Sequence, residues 1–141
     1  EGLKGAAATT QAIFMARAGE PAAAIRAAIA EGYGYDLGRS VDEIRPAYRF
    51  DETCQGSVPE ALTAALEATS YEDAIRNAIS LGGDSDTLAA LAGGVAEARF
   101  GIPETIAQEG WRRLPADMQA VMERLYDRAG QTPPWQPGAS V

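Results

Sequence analysis

Histidine is absent from all 141 residues. That removes the commonest general base, the Ser-His-Asp arrangement and the usual zinc ligand together, so any metal here must be held by oxygen. Cysteine occurs once, at Cys54, which excludes an internal disulfide and fits a reducing compartment, with the cytoplasm as the expected location. With no histidine to activate it and no basic near neighbour, Cys54 reads as a structural or loop thiol. Cations are few: 12 Lys and Arg against 20 Asp and Glu leave a net charge of −8. No stretch gathers basic residues between aromatics, so sequence-specific nucleic acid and anionic membrane surfaces are not expected partners, and the charge serves solubility. No signal peptide and no bilayer-length apolar run are seen, so no membrane is expected. Aromatics make up only 7 % and β-branched residues are sparse, whereas alanine recurs throughout. Such a composition favours closely packed helices over sheet, and the length is that of one domain, so the expected fold is all-α. The chain lacks an initiator Met and opens on EGLKG at the apparent edge of a helix, so a fragment is expected.

Periodicity orders the rest. Ala6, Thr10, Ile13, Phe14 and Arg17 recur at helical steps from Leu3, Gly19 stops that helix, and Pro21 opens a second one carrying Ile25, Ala28 and Ile29 to about Gly32. Residues 33–56 read as mostly loop, with Ser40 and Glu43 at capping-box spacing for one short turn; a loop so long hints at function. Ser57 and Glu60 repeat the S-x-x-E spacing, which predicts a helix capped by Ser57 and running to about Ala68. Ser70 caps the next, with Ile75, Ala78 and Ile79 inward and Leu81-Gly82 at its end. A helix from about Asp86 to Phe100 sets Leu88, Leu91, Val95 and Ala98 on one side and a small-residue stripe of Ala89, Gly93 and Ala96 on another. Two more follow, from Pro103 towards Trp111 and from about Asp117 through Met118, Val121, Met122 and Leu125. Residues 129–141 form a proline-rich tail expected to be loose. Trp111 and Trp135 read as packing residues. Tyr33 and Tyr35 suit adenine stacking or, more commonly, hydrogen-bonded loop positions.

Between two of these helices lies LGGDSDTL, residues 81–88, which crowds two carboxylates and a hydroxyl into four residues. One reading is a cap, in which Asp84, Ser85 or Asp86 accepts from the free amides of the next helix. The other is a hard divalent cation, magnesium, manganese or calcium, held by Asp84, Asp86 and Thr87, with Gly82 and Gly83 letting the backbone turn close to it. An EF-hand fails, because its sixth and twelfth positions would be Ala89 and Val95 rather than Gly and Glu.

GGDSDTLAALAGGVAEARFG closely resembles the C-terminal metal-binding motif of the ADP-ribosylglycohydrolases, the group that includes dinitrogenase reductase-activating glycohydrolase. EGLKGAAATTQAIFMA, CQGSVPEAL and YEDAIRNAISLGGDSDT extend the resemblance over about residues 1–128. It implies an orthogonally packed all-α hydrolase that holds two Mg2+ or Mn2+ ions and cleaves the bond between ADP-ribose and an acceptor. Asp84 and Asp86 would then be catalytic and, with Thr87, metal ligands, while Gly56, Ser57 and Gly83 line the substrate. The family's N-terminal Thr-Asp-Asp ligands and its histidine-bearing segments have no counterpart here. Residues 1–128 therefore resemble the C-terminal half of such a domain, which needs a missing N-terminal half or a complementary chain as well as an ADP-ribosylated substrate or ADP-ribose. The alternative is a noncatalytic binding or assembly module on the same scaffold.

Overall fold

The computed structural model describes residues 1–137; the last four residues of the proline-rich tail lie outside them. Among the described residues there are eight helices and no strand: α1 (Gly2–Arg17), α2 (Ala22–Tyr33), α3 (Val41–Ile44), α4 (Cys54–Glu67), α5 (Tyr71–Ser80), α6 (Ser85–Phe100), α7 (Glu104–Arg113) and α8 (Ala116–Ala129). The fold is all-α, as the composition implies. The chain forms two compact units, Glu1–Phe100 and a second that begins at Gly101. No helix among the described residues is long and apolar enough to cross a membrane.

In the first unit α6 packs against α1, α4 and α5. Alanine and glycine make this possible. Gly5, Ala8, Ala12 and Ala16 form the buried stripe of α1, Ala74 and Ala78 that of α5, and Ala92, Gly93 and Ala96 line α6 beside Leu88 and Val95. A Cβ added at Gly93 would lie 3.2 Å from Ile75 Cδ1, so α5 and α6 touch where only hydrogen fits comfortably. The expected α1 face is therefore corrected: Ile13 is only partly buried and Phe14 is 72 % exposed, because the small residues one position away take the inward face. Ile79 is also exposed, lying 100° round the helix from the Ala74–Ala78 stripe.

Caps agree with the sequence at two helices and differ at one. Ser40 and Glu43 form a complete capping box on α3, and Ser70 accepts from the Asp73 amide to start α5. The helix expected to begin after Ser57 begins four residues earlier, with Thr53 Oγ1 accepting from Gly56 N at 3.2 Å. Pro59 is thus inside α4, which still runs to Glu67 because every residue from Ser57 to Leu66 is buried and packing outweighs the missing amide.

The second unit has no buried residue in either helix. Its order comes from aromatic contacts: Trp135 stacks on Trp111 at 4.2 Å and meets Tyr126 edge-on at 4.9 Å. The described part of the tail is therefore held rather than loose, with Pro133 buried.

Candidate functional site

Leu81 ends α5, and Gly82 and Gly83 follow in left-handed backbone at φ +76° and +63°. Such a pair of turns is strained for any residue with a Cβ and natural for glycine. Gly83 is also in close contact. A Cβ there would lie 2.9 Å from Tyr48 Cε1 and 3.2 Å from both the Arg49 carbonyl oxygen and Phe50 Cα. The turn before α6 therefore rests on the segment before α4, and two loops far apart in sequence become one surface.

Asp84 then opens α6, its carbonyl accepting from Leu88 N at 3.1 Å. Asp86 lies in the first turn, where the Asp84 carboxyl and the amides of Asp86 and Thr87 hydrogen-bond its carboxylate and hold it below the usual aspartate range. The octet thus places a carboxylate in the first turn of α6, at the positive end of the helix, with Asp84 two residues before it. Asp86 and Thr87 are exposed and Asp84 is half-buried. Two carboxylates and a hydroxyl are a chemically apt but partial donor set for magnesium or manganese. Among the described residues no third Asp, Glu or Cys joins them in a metal-sized group.

The neighbouring loop has its own constraints. Asp51 Oδ1 accepts from Thr53 N at 2.7 Å, and with the Thr53 hydroxyl also facing it the Asp51 carboxyl is held low. Its side chain lies over Gly56, where any Cβ would collide with the carboxylate. Ser57 does not cap α4. It is buried, and its hydroxyl faces the carbonyls of Thr53 at 2.7 Å and Asp51 at 3.0 Å. Gly83, Asp84, Gly56 and Ser57 are accordingly brought towards one another through Tyr48, Phe50 and Asp51. Tyr33 stands apart, donating to Gln11 Oε1 at 2.9 Å, and Tyr35 is buried with the Lys4 ammonium over its ring and no bond to its hydroxyl.

Sequence reading missed an open recess of about 250 Å3 beside this surface, lined by Arg39, Tyr48, Arg49, Phe50, Asp51 and Glu60 among others. Glu60, only 7 % exposed, has its carboxyl pushed up by burial, against the pull of Arg39 Nη2 at 2.7 Å from its Oε1. Arg39, in turn, is raised mainly by its hydrogen bond to Glu60. Burial also raises the Tyr48 hydroxyl, helped by Asp51, Glu60 and Asp84. The sequence carried no signal for this recess, because Glu60 reads there as the acidic partner of a Ser57 cap.

Comparison with known proteins bears on this arrangement as a whole. Over 97 residues the chain is 32 % identical to a Pseudomonas putida (strain GB-1) protein named ADP-ribosylarginine hydrolase Tri1. That alignment takes in 66 % of this chain and 24 % of the relative, so the chain corresponds to about a quarter of that protein's length. No solved structure matches at a significant level. The family model described as ADP-ribosylglycohydrolase matches residues 1–134, nearly the whole of both units, and by that match the chain belongs to the ADP-ribosylglycohydrolase family.

Proposed function

We propose that this chain supplies the Asp84, Asp86 and Thr87 side of the metal centre of a hydrolase that cleaves ADP-ribose from an acceptor. The observation that carries the reading is the placement of Asp84 and Asp86 at the start of α6, directly after the left-handed Gly82-Gly83 turn, in a chain of this family. Family membership and the activity named for the Pseudomonas putida relative favour an arginine-linked ADP-ribose as substrate. Asp84, Asp86 and Thr87 are the residues that would hold Mg2+ or Mn2+, and such an ion, when bound, supplies a Lewis acid for ribose oxygens or water. The chain's own residues do the rest: the Gly82-Gly83 turn holds the carboxylates on the surface, α6 fixes their spacing, and the Gly56–Ser57 end of α4 borders the substrate. Further ligands come from an N-terminal half or a complementary chain, because two carboxylates and a hydroxyl leave about half of a six-oxygen shell to water. A cytoplasmic setting agrees with the single cysteine.

A noncatalytic binding module is favoured by one observation, the lack of a third acidic ligand among the described residues. The experiment that separates the readings uses paramagnetic manganese. Signals of residues 84–87 should broaden first, and Asp86→Ala should abolish that broadening while leaving the helical circular dichroism unchanged. Broadening spread evenly over the 20 acidic residues would defeat the metal assignment.

A further inference from the structure

Glu60 is more than nine-tenths buried and lines the recess described above, yet only one of its oxygens is engaged. Oε1 accepts from Arg39, whereas Oε2 is buried with no hydrogen-bond partner. The Tyr48 hydroxyl, lining the same recess, is likewise buried and unbonded. Ser57 lies beside it and gives its own proton to the carbonyls of Asp51 and Thr53, so it can only accept from the Tyr48 hydroxyl and leaves the lone pairs of that hydroxyl unengaged. Buried polar atoms are costly unless something bonds them, so two on one open recess point to a ligand that brings donors.

The other walls narrow its chemistry. Both arginines that line the recess are engaged: Arg39 pairs with Glu60 and with Asp36 at 3.4 Å, and Arg49 donates to the carbonyls of Pro46 and Tyr48. What remains unpaired on the lining is Glu60 Oε2, with the Asp51 carboxylate, whose Oδ1 already accepts from Thr53 N, and the rings of Tyr48 and Phe50 beside it, the latter 63 % exposed. An unpaired carboxylate oxygen on a lining that also holds two aromatic rings matches a planar cation with several N–H donors, which bonds through its edge and stacks through its plane. A sugar hydroxyl would bond the carboxylate but bring no positive charge to it.

We propose that this recess is a guanidinium subsite: Glu60 Oε2 and the Tyr48 hydroxyl accept from the guanidinium edge, Phe50 covers its plane, and Arg39 holds Glu60 in position. Gly83 lies against Tyr48 and Phe50, so the subsite adjoins the turn that carries Asp84. Resting on the hydrolase reading, it receives the arginine side of the scissile linkage, and Glu60 and Tyr48 are specificity residues.

The test titrates the full chain with methylguanidinium below denaturing concentrations, with methylurea as a neutral probe of the same shape. Methylguanidinium is expected to shift the signals of Tyr48, Phe50 and Glu60, Glu60→Gln to weaken it about tenfold or more, and methylurea to leave those signals in place. Tyr48→Phe, which keeps the ring, should weaken binding by a smaller factor and carries the test if Glu60→Gln does not fold. Equal shifts with methylurea, no shift at those residues, or unchanged affinity in both variants would each overturn the subsite. Manganese broadening at residues 84–87 is read on the same samples. Broadening without guanidinium binding removes the subsite and leaves the metal reading; guanidinium binding without broadening does the reverse.

Discussion

Gly34 and Gly83 have nearly the same left-handed backbone, φ +66° and +63°, but different surroundings. Nothing lies within 4 Å of a Cβ built at Gly34, whereas one at Gly83 meets Tyr48, Arg49 and Phe50. Alanine at either should cost about 1–2 kcal/mol in backbone strain, and the excess loss at Gly83 isolates the close approach of the two loops. Chemical denaturation of both variants measures it; equal losses would mean that the loops part easily. Glu60 gives a second test at this scale. Its folded pKa is raised, so between the ordinary glutamate value and the raised one the native state holds more protons than the unfolded chain, and stability falls as pH rises through that window. Glu60→Gln should flatten that part of the stability–pH curve, and an unchanged slope would show that burial does not govern this carboxyl. The acidic turn was legible in the sequence because its chemistry is local in the chain. The recess was not, because Arg39, Tyr48 and Glu60 meet only once α3 and α4 are packed.

At the scale of elements, the helices were readable and their inward faces less so. Where large residues mark the core, as at Ile25 and Ile29 in α2 or Leu88 and Val95 in α6, periodicity finds the face. In α1 Leu3 and Phe14 point outward, Ile13 and Met15 are only partly buried, and the buried stripe is glycine and alanine, which a search for bulky apolar repeats passes over. The start of α4 was misplaced for a similar reason: Ser57 and Pro59 look like a first turn, but Thr53 offers an earlier cap and burial carries the helix through the proline. Close packing can be tested at Gly93, where Ile75 Cδ1 is 3.2 Å from the site of a Cβ and the Tyr71 hydroxyl 3.5 Å. Gly93→Leu should overpack the α5–α6 contact and cost about 1–3 kcal/mol or more. An unchanged thermal midpoint would show that α5 can move aside at little cost.

At the scale of the molecule, the chain matches its family over residues 1–134 and spans 24 % of a relative's length. A divalent cation such as magnesium needs about six oxygens in a near-octahedral shell, and Asp84, Asp86 and Thr87 offer only two carboxylates and a hydroxyl. Water must fill the rest, and water ligands contribute little selectivity or affinity. The expected outcome is that this chain alone takes up manganese weakly and releases no ADP-ribose from a modified arginine peptide. Adding the remaining segment of a full-length relative should increase manganese affinity at least tenfold and bring turnover with it. Asp86→Ala in that reconstituted protein should then abolish turnover with little change in fold, since the side chain is exposed and takes no part in the core. Isothermal titration with manganese and chromatographic assay of released ADP-ribose read both quantities. Full activity of the chain alone would show that its own carboxylates suffice, and full activity of the Asp86→Ala protein would take Asp86 out of the metal centre.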